Sequence, residues 1–328
     1  MKKSIYLLMM TLLVSFCFGG ISTGQKAYAA EEDTVEGDAA EGDAAKKAIL
    51  VVSFGTTYAD TRKVTTEAVE NKIKAAFPDY EVRHAFTSRI IIKKLADRDG
   101  LQFDTEKQAL DKLVEEGFTD VVIQPLHMEA GDEYTKLMRV VDKYRGKGVF
   151  NTLAVGRPVL YYTGQEGEKP DDYLIAIQAF QTQFPSLGEH EAIGLMGHGG
   201  VNPANTAYAA LQMKIQDAGL KNIFVFTVEG YPTIDNLIAE LKANKIEKVT
   251  LMPIMLVAGD HANNDMAGAD KESFKSQLLA AGFQVDTYIH GLGENAAIQD
   301  IYVQHVKDAI DNKYVERGKD RPAIPVIE

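Results

Sequence analysis

The feature that most constrains the fold is an internal repeat, in which one stretch of the chain matches another without a gap. Residues 120–132 (DVVIQPLHMEAGD) align with residues 248–260 (KVTLMPIMLVAGD), and both copies run from an apolar stretch through a proline to Ala-Gly-Asp. A second pair of segments, 53–56 (SFGT) and 197–200 (GHGG), repeats a glycine turn after an apolar run. A chain that repeats itself in this way is predicted to fold into two similar units.

Short β-rich apolar runs alternate with amphipathic stretches after residue 47, a pattern typical of βαβ units and parallel sheets. Four strands are predicted in each half, at residues 48–54, 81–86, 120–125, 151–155, 192–196, 222–227, 248–253 and 284–289. The stretch 233–244 predicts a helix with one apolar face, and Gly117 is predicted to end another helix. The predicted fold class is therefore α/β, with two similar lobes, each a four-stranded parallel sheet flanked by helices. Ligands of such sheets bind at the carboxyl ends of the strands, here in a cleft between the lobes.

The first thirty residues carry a different signal. Lys2 and Lys3 precede a short apolar run, and the sequence AYA at residues 27–29 is typical of a signal-peptidase site. The next residues are almost all Glu, Asp, Gly and Ala, a composition that cannot form a packed core. We therefore expect an exported, periplasmic protein without a membrane anchor after cleavage. The predicted organisation is a signal peptide (1–29), an acidic flexible tether (30–45), an N-terminal lobe (46–187) and a C-terminal lobe (188–328).

Charge and composition exclude several classes of function. The net charge of −12, without a concentrated basic face, argues against binding to nucleic-acid phosphates. The single cysteine, Cys17, lies in the segment predicted to be removed, which excludes disulfides and thiolate ligands from the mature protein. The sequence also lacks the phosphate-binding glycine motifs and the G-x-S-x-G nucleophile motif. Any metal is therefore expected to be held by His, Asp or Glu.

Three side chains that can bind a metal follow predicted strands. Glu133 comes directly after the first Ala-Gly-Asp, His261 directly after the second, and His198 lies in the glycine turn at 197–200. Two imidazoles and a carboxylate suit a divalent first-row metal in a site with open positions. Each residue also has a plainer interpretation. A histidine in a turn is often a hydrogen-bonding residue, and a glutamate that opens a helix is favoured by the helix dipole.

The other histidines are weaker candidates. His127 also ends a strand, but its counterpart in the repeat is Met255, which favours a packing role. His290 could face the cleft, since it directly precedes a glycine-rich segment. The remaining three are expected to be structural or at the surface: His84 within a strand, and His190 and His305 at the surface.

Six segments together resemble the anaerobic-pathway sirohydrochlorin cobaltochelatases, which are class II tetrapyrrole chelatases. They are residues 52–58 (VSFGTTY), 85–88 (AFTS), 131–134 (GDEY), 196–199 (MGHG), 251–266 (LMPIMLVAGDHANNDM) and 291–295 (GLGEN). The resemblance spans residues 46–313, and the segment 251–266 is the most specific part of it. The predicted signal peptide and tether differ from the cytoplasmic members and resemble the exported, periplasmic branch of the family.

The resemblance implies a lyase that inserts Co²⁺ into sirohydrochlorin, with the macrocycle in the cleft and His198, His261 and Glu133 as catalytic and metal-binding residues. Insertion replaces two pyrrole protons by one metal ion, and histidine, which titrates near neutral pH, suits both metal binding and proton acceptance. Glu133 would supply charge and a third ligand. The candidates for holding the carboxylates of the substrate each lie near a predicted strand end: Arg62, Arg89 and Arg157.

Two other interpretations stay open. An exported protein that carries a tetrapyrrole or a metal without turnover is one, because corrinoid assembly is expected in the cytoplasm. Iron insertion is the other, because His and carboxylate ligands do not separate Co²⁺ from Fe²⁺ or Ni²⁺. The expected partner is sirohydrochlorin or a related tetrapyrrole, and a homo-oligomer is left open.

Overall fold

Two parallel sheets of four strands form the framework of the protein, one from each half of the chain. The first consists of β1 (Lys47–Ser53), β2 (Glu81–Phe86), β3 (Asp120–Pro125) and β4 (Thr152–Val155), in the spatial order β2-β1-β3-β4. The second consists of β7 (Glu191–Gly197), β8 (Ile223–Thr227), β9 (Lys248–Pro253) and β10 (Gln284–Thr287), in the order β10-β9-β7-β8. Counted within each half, both sheets have the order 2-1-3-4. The predicted α/β fold of two similar sheets is thus confirmed.

These elements come from a computed structural model, which describes residues 45–166 and 168–314. The described residues belong to one compact unit that begins at Ala44. The predicted signal peptide lies outside the described residues, and so does the predicted tether except for its last residue. None of the helices in the described ranges is long and apolar enough to cross a membrane.

Helices cover the sheets and connect their strands. Those before β7 are α1 (Ala59–Val64), α2 (Thr66–Ala76), α3 (Arg89–Asp99), α4 (Glu106–Glu115), α5 (Asp132–Lys147) and α6 (Asp172–Gln181). Those after β7 are α7 (Thr206–Asp217), α8 (Ile234–Ala243), α9 (Phe274–Ala280) and α10 (Ala296–Ile310). The shorter elements are a β5–β6 pair (Thr163–Gln165 and Lys169–Asp171), 3₁₀ turns at Pro203–Asn205 and Leu292–Glu294, and a π-helical turn at His261–Met266.

Helix ends follow local sequence signals. Thr105 caps α4 and Thr233 caps α8, and each hydroxyl accepts a hydrogen bond from the backbone N–H three residues later. After α4, Gly117 adopts a φ of +77°, a conformation that glycine tolerates best. The helix predicted at residues 233–244 and the helix end predicted at Gly117 are both confirmed.

The central strands β1 and β7 are buried on both faces of their sheets. Along β1, Ile49 and Val51 pack into a core shared by both halves, whereas Ala48, Leu50 and Val52 pack into a second core with residues of α4 and α5. Burial of a strand on both faces is typical of parallel sheets, and it explains why such strands appear in the sequence as continuous apolar runs. The eight predicted strands are found within two residues of their expected ends, and the short β5–β6 pair was not predicted.

The last helix returns to the first half of the chain. α10 packs against α2, β3, β4 and α6, although it follows the second sheet in sequence. His305 lies on the packed face of α10 and is only 2% exposed, so its expected surface position is wrong. The predicted lobe boundary between residues 187 and 188 stays a prediction. Although α10 follows this boundary in the sequence, it packs against helices and strands that precede it.

Candidate functional site

A cavity of about 880 Å³ lies at the carboxyl ends of both sheets. Its walls come from the segments that follow β1, β2 and β3 in the first half and β7, β8 and β9 in the second. A volume of this size is within the range of small-molecule sites, which commonly lie at this edge of α/β sheets. The predicted cleft between the strand ends is therefore present.

His198 and His261 lie together in this cavity. Their ring centroids are 4.8 Å apart and their planes are nearly perpendicular. Nδ1 of His198 is 2.9 Å from the backbone oxygen of Gly199, and Nδ1 of His261 is 2.6 Å from the carboxylate of Asp265. An acceptor at Nδ1 requires the proton there, which leaves the Nε2 lone pair of each ring available to a metal ion.

The turn that carries His198 depends on glycine. Gly199 has a φ of +77°, and its counterpart in the repeat, Gly55, has a φ of +94°. A Cβ on Gly199 would lie 2.7 Å from the Cβ of Thr227, which is closer than real Cβ contacts allow. The two glycine turns aligned by the repeat therefore have the same backbone form, which supports the alignment in three dimensions.

Glu133 lies on the opposite half, at the second residue of α5, and lines the same cavity. Partial burial alone would raise the pKa of its carboxyl, but the ammonium group of Lys136 holds that pKa below its usual value. Nζ of Lys136 is 2.8 Å from the carboxylate. Glu133 is therefore a carboxylate anion with a cation already beside it.

Glu229 is a residue of the cavity that the sequence reasoning missed. It follows β8, and its backbone N–H donates to the backbone oxygen of His198 at a distance of 2.8 Å. Within the described part of the chain, its side chain has no hydrogen-bond or ion-pair partner. The same criterion that selected His198, a polar residue directly after a predicted strand, would have found it.

The three predicted residues do not form a closed metal site. In residues 45–166 and 168–314, no group of three or more His, Cys, Asp or Glu side chains is close enough to hold a metal ion. The structure brings His198 and His261 together, and it places Glu133 and Glu229 in the walls of the same cavity. Of the three predicted residues, His198 and His261 are thus the two that the fold places in contact with each other.

Comparison with known proteins identifies the family. The family described as cobalt chelatase (CbiK) matches residues 47–311. The chain belongs to this family. The predicted resemblance to the cobaltochelatases is thereby confirmed, whereas its exported branch stays a prediction.

Two curated relatives cover most of the chain. The sirohydrochlorin cobaltochelatase of Salmonella typhimurium is 44% identical over 266 residues, which are 81% of this chain and 97% of that protein. The sirohydrochlorin cobaltochelatase CbiKC of Nitratidesulfovibrio vulgaris is 32% identical over 265 residues, 81% of this chain and 91% of that protein. The solved structure of SirB from Bacillus subtilis with Fe³⁺ shares the fold, with a TM-score of 0.52 at 17% identity, and the match covers 81% of this chain and 96% of that one.

The predicted arginines do not line the cavity of this family member. Arg157 is buried and bound to Asp172 and Asp308, so its expected role in holding substrate carboxylates is wrong. The other two are also held by carboxylates outside the cavity: Arg62 by Glu67 and Arg89 by Glu106. The cation that does line the cavity without an ion-pair partner in the described ranges is Lys94, on α3. The spacing of residues in the sequence could not single out Lys94, because it does not show which lysines and arginines are paired with a carboxylate.

Glu129 is a second carboxylate of the cavity that the sequence reasoning missed. Burial raises the pKa of its carboxyl, although the hydroxyl of Tyr208 donates to it at 3.1 Å. The ring of Tyr208 packs against Gly197, where a Cβ would lie 2.1 Å from a ring carbon. Perturbed carboxyls in a cavity are frequent at functional sites.

Three other histidines, His84, His190 and His290, lie outside the cavity lining. Nδ1 of His290 is 2.7 Å from Glu294, so a role facing the cleft finds no support. His84 is in β2 and pairs with Glu70, in agreement with its expected structural role. His190 is exposed, as expected, and contacts the backbone oxygen of Lys245.

His127 lines the cavity wall, but the nitrogens of its ring are packed away from solvent. Both ring nitrogens are shielded from solvent and have no hydrogen-bond partner among the described residues. Desolvation lowers the pKa of this imidazole to about 4, an effect that the nearby Glu133 only partly opposes. His127 is therefore a neutral ring at physiological pH.

This buried ring predicts a pH dependence of stability. Between the ordinary histidine value near 6.5 and the folded value of about 4, the unfolded chain binds more protons than the folded chain. The stability present above pH 6.5 is thus lost as the pH falls, by about 3 kcal/mol in total. Urea unfolding from pH 7 to pH 4 should show this loss in the wild type and a smaller one in His127→Met, which copies the residue of the other repeat. The control His190→Gln should follow the wild type, and an identical loss in His127→Met would refute the assignment.

Proposed function

We propose that this protein inserts Co²⁺ into sirohydrochlorin, with His198 and His261 as the residues that hold the metal. The observation that carries the proposal is the pair of imidazoles, 4.8 Å apart, in the cavity of a chain that belongs to the cobalt chelatase family. The relatives from Salmonella typhimurium and Nitratidesulfovibrio vulgaris, which carry the name sirohydrochlorin cobaltochelatase, support the same substrate and metal. Fe²⁺ and Ni²⁺ are alternative metals, because imidazole and carboxylate ligands bind all three.

The walls of the cavity fit a flat macrocycle with charged edges. Phe54 and Ile90 of the first half and Val201 of the second are exposed by 51%, 80% and 101%, and all three line the cavity. Apolar side chains left in water at the mouth of a site are typical of a ligand-binding surface. Lys94 would meet a carboxylate at the edge of the macrocycle, while the apolar side chains cover its faces.

Proton balance follows from the same pair of histidines. Insertion puts one divalent ion into the macrocycle and releases two pyrrole protons. While a metal occupies Nε2, an imidazole cannot accept a proton there. As the metal passes to the pyrrole nitrogens, each Nε2 is freed and accepts one of the two protons. Metal transfer and proton acceptance are thus coupled at the same two atoms.

We propose Glu133 as the third ligand, and the structure offers Glu229 as a second carboxylate for the same role. Glu133 is held by Lys136, whereas Glu229 lies beside His198 without a partner in the described ranges. Removing either carboxylate should weaken Co²⁺ affinity by about 10- to 100-fold, as losses close to a metal typically do. We expect Glu229→Gln to cost at least as much as Glu133→Gln, because Lys136 already neutralises part of the charge of Glu133.

Titration of each variant with Co²⁺ alone, by calorimetry, measures this effect. Glu240→Gln, a change on the exposed face of α8, serves as the control and should bind as the wild type does. Wild-type affinity in both Glu133→Gln and Glu229→Gln would show that neither carboxylate binds the metal.

Insertion by the mature chain, residues 30–328, tests the proposed activity. The protein is mixed with sirohydrochlorin and Co²⁺, and the change in absorbance is compared with the uncatalysed rate. Acceleration supports the proposal. Tight binding of sirohydrochlorin without acceleration would instead identify a tetrapyrrole carrier, and faster reaction with Fe²⁺ than with Co²⁺ would identify an iron chelatase.

We further propose export to the periplasm, on the basis of residues 1–29 alone. The protein purified from its own host should begin at or near Ala30, which follows the AYA sequence. N-terminal sequencing of the periplasmic and cytoplasmic fractions measures this. Intact Met1 on protein confined to the cytoplasm would contradict it.

A further inference from the structure

Two hydrogen bonds cross the cavity from one half of the chain to the other. The hydroxyl of Tyr58 donates to the Asp260 carboxylate at 2.7 Å. The side-chain amide of Asn202 donates to the Asp132 carboxylate at 2.6 Å. One donor comes from each half, and each acceptor comes from the half opposite its donor. All four residues line the cavity.

The two bonds are related by the internal repeat. Asp132 and Asp260 are the aspartates that end the two aligned Ala-Gly-Asp segments. Tyr58 is the fifth residue after the end of β1, and Asn202 is the fifth residue after the end of β7, so the glycine-turn alignment also makes the donors equivalent. Equivalent donors therefore reach equivalent acceptors, which a chance surface contact would not be expected to do.

Each acceptor stands next to a residue proposed to bind the metal. Asp132 opens α5 and precedes Glu133, and Asp260 precedes His261. The donor Asn202 is four residues after His198, so its bond to Asp132 connects the turn of His198 to the helix of Glu133. The side chains in both pairs are exposed. Water competes with such bonds, so each can open at small cost when a large ligand enters.

We infer that Tyr58 and Asn202 are positioning residues, a pair of cross-cleft clasps that set the spacing between the two halves of the metal site. This role rests on the proposed function, because it concerns the spacing of His198, His261 and Glu133. The clasps hold the ligands of opposite halves in place for transfer, and they open to admit the macrocycle. The hydrogen bond from Tyr58 also raises the pKa of its phenol, in keeping with a well-formed contact to Asp260.

The test combines a distance measurement with kinetics. The mature chain lacks Cys17, so cysteines that replace the exposed Lys93 of α3 and Lys242 of α8 can carry one spin label on each half. Tyr58→Phe and Asn202→Ala are each expected to lengthen and broaden the distance distribution between the labels. Tyr231→Phe removes the hydroxyl of a tyrosine that is exposed and outside the cavity lining, and it should leave the distribution unchanged.

In the unlabelled protein, kcat for Co²⁺ insertion should fall by about 3- to 10-fold in either clasp variant, while KM for sirohydrochlorin stays the same or falls. Asp260→Asn keeps an acceptor oxygen and should retain most of kcat, whereas Asp260→Ala should match Tyr58→Phe. This difference separates the hydrogen bond from the charge beside His261.

Unchanged label distances in both Tyr58→Phe and Asn202→Ala would overturn the inference, and so would longer distances without a fall in kcat. The distance measurement does not depend on turnover. If the wild type inserts no metal but the variants lengthen the distance, the proposed function fails while the cross-cleft contacts are supported.

Discussion

Replacing His198 or His261 with alanine is expected to lower the rate of Co²⁺ insertion by about 100-fold or more, equivalent to about 2.7 kcal/mol in the activation barrier. The physical reason is that each ring offers one free Nε2 to the metal, while its Nδ1 is held by Gly199 or Asp265. Insertion assays on both variants measure the loss. His190→Ala is the control, because His190 is exposed and outside the cavity.

Neither variant should change the fold, because His198 is exposed and His261 is only partly buried. Circular dichroism and the melting temperature check this point. Full activity in either alanine variant, with an intact fold, would remove that histidine from the site.

Arg157→Ala is expected to destabilise the protein by about 3–5 kcal/mol. The guanidinium binds Asp172 through two nitrogens at 2.8 and 3.0 Å and Asp308 through a third at 2.8 Å. All three side chains are buried, so the substitution leaves two carboxylates without a cation in a region of low polarity. Asp308 belongs to α10 and Asp172 to α6, so the same contacts fasten the returning last helix to the first half.

Urea unfolding at pH 7 measures this loss. Arg145→Ala is the matched control, because Arg145 makes an exposed ion pair with Asp142 at 3.3 Å, and it should change stability by less than about 1 kcal/mol. Arg157→Lys should fall between the two, since an ammonium cannot bind Asp172 through a planar fork. Equal stability of Arg157→Ala and Arg145→Ala would contradict the buried network.

The strands β1, β3, β7 and β8 were predictable because each is a short apolar run whose residues are almost all buried. The β5–β6 pair was not, since its strands have three residues each and no apolar run. His305 shows a signal that was present but unused. It follows Ile298, Ile301 and Tyr302 at helical spacing, and that apolar stripe places it on the packed face of α10.

The residues of the candidate site were predictable at the positions that the internal repeat aligns. The alignment of Ala-Gly-Asp segments selects Glu133 and His261, and the glycine turns select His198. Glu229 lies after β8, whose sequence has no aligned partner in the first half, so the repeat gave no reason to choose it. Arg157 failed for another reason: its partners are 15 and 151 residues away, and local spacing cannot show that they neutralise it.

The central claim is that His198 and His261 hold the metal, and the position of bound cobalt tests it most directly. Crystals of residues 30–328 grown with Co²⁺ give an anomalous difference map at the cobalt absorption edge. We predict the strongest peak in the cavity, within coordination distance of Nε2 of both rings. A map with no peak there, but with a peak at another histidine and carboxylate pair such as His84 and Glu70, would contradict it.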